Sequence, residues 1–382
     1  MTQAALIGQT FGMLSGNPRH LAIVQTFHGT IIAWARRQKM FDQTTAPIHS
    51  TGIAETEVES AWRRWVHSEE KKRVAVGLRI HDAELAELFM AEPFLRSSAN
   101  TRLTVAHNDA WTAPTAKSWA RVLRERDLTD STYGTTSTDS SVMSSIIAVS
   151  PSFALYSLLE EKASYIMEHT QVHSPETQQQ ITQFLTSVYN EHLRHQTDSD
   201  PFSLKALWHS LFMSLYCDMN KIECAVGREG FEEAQNQAEY ATIWASSAAG
   251  HRCAIHAALI LKHLQRIPIG EEPAIHVPRL LYRASLIWYA YTRFGRDDYH
   301  GRQESSISAE LEFPELTKAG IDGRRVLFAA NGFKRTRPTT SESSTLFHLI
   351  DLLTRLGHWG ISQKMASLFS VLIHDRPHYS ES

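Results

Sequence analysis

The sequence predicts an all-α protein: a large, irregular multi-helix domain of packed antiparallel helices with no substantial sheet. Three observations predict it. Apolar residues recur at three- and four-residue spacing through most of the chain, Ser-Pro, Asn-Pro and Asp-Pro start signals precede several of those stretches, and strand-like alternation is scarce. With 382 residues, 42% of them hydrophobic, there is ample material for one large domain or two ordinary ones.

The elements follow in order. Asn17-Pro18 begins a helix running towards Gln38, because a proline in the first turn removes an N–H that would have no partner there. Residues 44–51 read as a loop. Residues 55–92 form a long helical region that ends before Pro93, with Gly77 marking a bend or break. Within it Trp62, Trp65, Val66, Val76, Ile80, Leu85, Leu88 and Phe89 largely follow one buried stripe, while Arg63, Arg64, Glu69, Glu70, Lys71 and Lys72 supply the wet side. Residues 114–126 read as a short amphipathic helix. The Ser/Thr-rich tract 129–145 is the expected linker between an N-terminal helical part, 1–128, and a C-terminal part, 146–382, packed on it.

Beyond that tract, Ser150-Pro151 opens a buried helix carrying Phe153, Leu155, Tyr156 and Leu159. Ser174-Pro175-Glu176 supplies an N-cap, a first-turn proline and a carboxylate at the positive helix end, and Asp200-Pro201 repeats that start before Leu204. Residues 230–265 read as one long helix with Gly250 inside it; Pro268 and Gly270 end it, and a buried helix follows from Val277. Residues 295–309 and 331–345 read as polar loops, and 342–375 as a closing helix pair.

Charge and cysteine content exclude several functions. Lys and Arg number 38 against 41 Asp and Glu, a net charge of −3, so no concentrated basic surface dominates as it does in a duplex-binding domain. Lys71-Lys72-Arg73 follows Glu69-Glu70 directly and reads as a solvated helix face; Lys334-Arg335 with Arg337 lies in a Pro/Thr/Ser-rich loop and is a candidate nuclear-import signal. Cys217, Cys224 and Cys253 are too few thiolates for a zinc cluster and read as buried apolar residues. No stretch of about 18 apolar residues marks a membrane span.

The rival reading is an all-α metal-dependent enzyme. His192 with His195, three apart, and His169 with His173, four apart, are candidate metal pairs on helices, but neither carries the Glu of an HExxH pattern. Cys217 and Cys224 would share a face if one helix held both, and His251, Cys253 and His256 lie close in sequence. Asp297-Asp298 resembles the paired magnesium-binding aspartates of terpene cyclases but lacks a third acidic residue two positions on. No nucleophile elbow, phosphate loop or dinucleotide fingerprint occurs.

Residues 59–89, ESAWRRWVHSEEKKRVAVGLRIHDAELAELF, carry a family resemblance, and they are flanked in order by other segments that share it. Upstream are Phe11-Gly12, a Ser15-Gly16 turn, and a helix ending in Arg36, Arg37 and Phe41. Downstream are Asp109-Ala110-Trp111, Pro114 and Trp119, and near the C-terminus Gly357, Trp359 and Gly360 stand at the bend between two helices. Together they resemble the central regulatory, or middle homology, region of fungal transcription factors, which follows a zinc-cluster or C2H2 zinc-finger DNA-binding domain.

That resemblance implies a transcription regulator in the nucleus, controlling a metabolic or biosynthetic gene set. Its implied partners are transcriptional co-regulators or another DNA-binding subunit, a small-molecule effector, or a second copy in a homodimer; no membrane is involved. DNA would be reached only indirectly or through an N-terminal domain, and zinc would belong to that domain, so no cofactor is expected in this chain. The family region begins upstream of the part matched by Met1, which makes a regulatory region without its reader, a truncated paralogue or an incomplete gene model the expectation. Trp62, Arg63, Arg64, Trp65, Trp111, Trp119, Gly357, Trp359 and Gly360 are the family-motif residues, and the Trp62–Trp65 group is expected to hold the architecture. Independently, Trp208, Phe212, Tyr216, Trp244, Trp288, Tyr289 and Tyr291 come from separate helices and outline a candidate effector pocket, although core packing explains the same rings without a ligand.

Overall fold

Asn17 accepts a hydrogen bond from the Arg19 N–H and Pro18 occupies the first turn, so helix α2 (Pro18–Arg37) starts where its sequence directs. The computed structural model describes residues 2–42, 54–96, 105–133, 152–169, 174–194, 200–268, 270–295, 312–331, 341–356 and 359–374. Among these it contains sixteen α-helices and no strand, an all-α architecture.

Helix α1 (Thr2–Leu14) packs along α2, and both lie against α3 (Val58–Phe89). The expected bend at Gly77 is absent: α3 runs through it unbroken, and the glycine instead admits Leu6 of α1, whose Cδ2 lies 2.8 Å from where a Cβ would stand. After α4 (Asn108–Trp111), α5 (Ala116–Tyr133) extends past residue 126 into the first residues of the Ser/Thr tract; 134–145 lie outside the described residues.

Helix α6 (Ser152–Glu168) packs on α3, and α7 (Pro175–Val188) is capped as expected by the Ser174 hydroxyl, which accepts from the Thr177 N–H. The Asp200-Pro201 start differs from expectation. Helix α8 (Leu204–Tyr216) begins three residues after Pro201, because the Asp200 carboxylate reaches over the turn to the N–H groups of Leu204 at 2.8 Å and Lys205 at 3.1 Å. After α9 (Met219–Ala225), the expected single helix over 230–265 is two, α10 (Phe231–Ala245) and α11 (Ala248–Leu264). Ser247 breaks it, its hydroxyl accepting from the Gly250 N–H as a new N-cap.

The chain closes with α12 (Val277–Phe294), α13 (Pro314–Ala319), α14 (Gly323–Asn331), α15 (Ser341–Arg355) and α16 (Gly360–His374). Helix α15 therefore starts inside the stretch expected to be a polar loop to residue 345. Helices α8, α11 and α12 form the centre, with α6, α14 and α15 around them. Trp208, Phe212, Trp288 and Phe369 are fully buried there, and each large side chain removed from water contributes roughly 1.5–3 kcal/mol. A separate small core joins α3 to α5, where the Trp65 and Trp119 rings lie 5.4 Å apart.

Candidate functional site: the groove beside the closing helix

The fold holds the surroundings of this groove through buried charge. On α3, Glu84 and Glu87 face Arg279 and Arg283 of α12, and all four side chains are nearly inaccessible to water. Arg279 grips Glu84 with two N–H groups, the Nε bond being 2.9 Å, and also pairs with Glu87. Arg283 lies 3.0 Å from the same Glu87 carboxylate and donates to the Glu87 carbonyl and the Ser214 hydroxyl. Burial alone would raise the Glu84 carboxyl, but the Arg279 guanidinium takes it below the usual range. Glu160 of α6 is the third carboxyl; burial and then the Glu84 charge push it well above the ordinary carboxylate value. Removing one member of the Glu84–Glu87–Arg279–Arg283 set would leave a buried charge without its partner and cost about 3–5 kcal/mol.

A second buried cluster ties α13 to the centre. Arg252 donates to Glu315 at 2.7 Å, and His256 lies 3.3 Å from Glu315 on one ring nitrogen and 2.8 Å from His209 on the other. Burial would raise Glu315, but hydrogen bonds from His256 and Arg252 hold it at about 2. Burial depresses both histidines below the ordinary imidazole value.

Against this rigid body, α16 meets the α1–α2 turn backbone to backbone. Gly16, at φ 69°, and Gly360 lie so close that a Cβ on Gly360 would stand 2.2 Å from the Ser15 carbonyl oxygen. Alongside this contact a groove of about 410 Å³ opens, floored by Met13 and Ile361 and walled by Pro18, Leu21, Leu368 and Val371. Leu368 and Val371 are 54% and 55% exposed, although Phe369 between them is wholly buried. Lys364 and Ser367 are the polar lining from α16, and α1, α2 and α16 contain no carboxylate. The arrangement suits an apolar body with a negative or hydrogen-bonding end.

The residues singled out in the sequence fall in different places. Trp65 and Trp119 are buried in the small core, Trp62 and Trp111 pack at its edge, and the Arg73 guanidinium sits 4.5 Å over the Trp111 ring. Arg63 and Arg64 do not hold the architecture: both are exposed, and Arg63 makes one surface pair with Glu59. Trp359 and Gly360 border the groove region, and Gly357 lies outside the described residues. Trp208, Phe212, Tyr216, Trp244, Trp288, Tyr289 and Tyr291 belong to the central core or pack against it, and the groove is lined by other residues.

Glu69 is a correction to the wet face. It is 1% exposed and accepts from the Arg73 Nε at 3.1 Å and the Ala106 N–H at 2.7 Å, so Arg73 is also drawn inward. Cys217 follows α8 while Cys224 lies on α9, so no single helix presents both. His173, His195, Asp297, Asp298 and the 334–337 basic run lie outside the described residues. Among the described residues, no group of three or more His, Cys, Asp or Glu could hold a metal, and no helix is long and apolar enough to cross a membrane.

Over 120 residues, 31% of the chain, it is 29% identical to a nicotinate catabolism cluster-specific transcription factor of Emericella nidulans. Over 136 residues, 35% of the chain, it is 28% identical to transcription factor 1 of Elsinoe fawcettii. The chain is similar to fungal transcription factors. Each match covers 14% of the relative's own length. No protein-family model and no solved structure matches the chain. Both relatives are named as transcription factors.

Sequence reasoning missed Glu84, Glu87, Glu160, Arg279 and Arg283. A signal was present: arginines four apart interrupt the apolar run of α12, and carboxylates three apart interrupt the buried end of α3. Such pairs share a helix face, and charges on an otherwise apolar face require a partner.

Proposed function

We propose that this chain is the regulatory, non-DNA-reading region of a fungal transcription factor, corresponding to the middle homology region, and that it acts in the nucleus. The similarity to two fungal transcription factors carries this reading. The name of the Emericella nidulans relative ties that protein to a catabolic gene cluster, which supports a metabolic gene set here as well. DNA is reached through another domain or subunit. The groove beside α16 is the contact surface for a co-regulator or small effector, and its occupant biases how α16 sits on the α1–α2 turn.

The test is genome-wide chromatin occupancy of the tagged chain in its host, paired with expression of the occupied genes in a Leu368→Glu variant. Leu368 is exposed, so the charge leaves the fold intact while spoiling an apolar contact. Discrete promoter peaks, with expression altered in the variant, are expected. Absence of peaks with clear cytosolic location would overturn the regulatory reading. Peaks with unchanged expression, both in Leu368→Glu and after removal of residues 342–375, would overturn the role of the groove.

A further inference from the structure

A second cavity, of about 430 Å³, lies where the end of α2, the middle of α3 and the strap 90–96 converge. Its walls are built before any ligand arrives. The Asp82 carboxylate, 2% exposed, accepts the backbone N–H groups of Phe94 at 3.1 Å and Leu95 at 2.6 Å, and holds the His28 ring at 2.8 Å. Arg36 then donates to the Phe94 carbonyl at 2.6 Å, tying the strap to α2 as well. These bonds fix the strap against two helices and leave its Phe94 ring, 52% exposed, standing at the cavity.

The lining is chemically lopsided. Arg36 comes from α2, Arg79 from α3 and Arg96 from the strap, and the carboxylate that lines the same space is Asp42. Arg79 lies 5.7 Å over the Phe41 ring and feels Glu161 and Asp82, so it contributes positive field from a fixed position. Arg36 and Arg96 bring two further guanidiniums to the same space, so an anion entering it meets positive groups from two helices and the strap. A guanidinium offers a planar fork of N–H donors that fits carboxylate or phosphate oxygens, and Phe41 with Phe94 supplies two aromatic walls. The volume falls in the range of small-molecule sites.

We propose that this cavity binds a small organic dianion bearing a planar apolar ring, with the charge on Arg36 and Arg96 and the ring between Phe41 and Phe94. An aryl phosphate and an aromatic dicarboxylate share that chemistry. The site is separate from the groove beside α16, and its binding does not depend on the transcriptional reading. It also gives Arg36 and Phe41, read in the sequence only as part of a helix ending, a shared purpose.

Calorimetric titration of the 382-residue chain tests it with phenyl phosphate, phthalate, inorganic phosphate and a short mixed-sequence DNA duplex as probes. Phenyl phosphate or phthalate is expected to bind at least about tenfold more tightly than inorganic phosphate. Arg36→Gln and Arg96→Gln should each weaken that binding about tenfold, the scale of losing one charged hydrogen bond, and Lys364→Gln in the other groove should leave it unchanged. Arg96 is exposed and its replacement keeps the fold, which the thermal midpoint checks. No binding of either aromatic dianion, binding no tighter than inorganic phosphate, or indifference to both arginine substitutions would each overturn the proposal. Tighter, steeply salt-dependent binding of the duplex that both arginine substitutions abolish would assign the patch to a nucleic-acid backbone instead and overturn it too.

Discussion

Replacing Gly360 by alanine perturbs a close approach of two backbones beside the groove. The new Cβ would stand 2.2 Å from the Ser15 carbonyl oxygen and 2.8 Å from its carbon, whereas carbon and oxygen in contact ordinarily lie about 3.3 Å apart or more. About 1 Å must therefore come from moving α16 or the α1–α2 turn, since no side-chain rotation can supply it. The opposite wall cannot yield easily: Gly16 sits at φ 69° and itself abuts the Gly360 carbonyl. Overpacking of this kind costs about 1–3 kcal/mol, and the helix preference of alanine returns at most about 1. Urea unfolding at neutral pH should show a net loss of about 1–2 kcal/mol with an unchanged slope. Gly8→Ala in α1, where a Cβ meets nothing within 4 Å, is the control and should be neutral or stabilising. If Gly360→Ala matched the parent or the control in stability, the tight contact between α16 and the turn would be refuted.

Three further outcomes follow from the buried groups. Trp119→Ala should cost about 3–5 kcal/mol while Arg64→Ala changes stability by less than about 0.5, and equal losses in thermal melts would contradict their placement. Glu160→Gln should match or exceed the parent's stability at pH 7, because a carboxyl whose folded pKa is raised loses stability as pH climbs above its ordinary value near 4.5; a loss above about 2 kcal/mol there would show that Glu160 is ionised and paired. Glu315 behaves oppositely: its depressed carboxyl stabilises the fold above pH 4.5, and that contribution fades as pH falls towards about 2, so Glu315→Gln should flatten the acid limb of the stability curve.

Much of the fold was legible because helices announce themselves locally. The start at Pro18, the Ser174 cap and the buried character of α12 could be read from a few neighbouring residues, since each depends on backbone donors and side chains within one turn. The errors came where a local signal met a tertiary contact. Gly77 reads as a break, yet α3 continues through it and Leu6 occupies the space a Cβ would take; 230–265 reads as continuous, yet Ser247 starts a new helix. Of the groove, Gly360 and Trp359 were visible as a bend, while Met13, Leu21 and Leu368 come from opposite ends of the chain and carried no common pattern.

The sequence by itself determined the all-helical class, most helix starts and the surplus of apolar residues, because periodicity and capping act over about four residues. Only the tertiary structure decided that Glu69 turns inward while Arg63 and Arg64 stay in water, that Glu84 and Glu87 meet Arg279 and Arg283, and that Arg36, Arg79 and Arg96 surround one cavity. The Glu84 pairing with Arg279 joins residues nearly two hundred apart, and the energy of a buried charge depends on the partner that the fold brings to it.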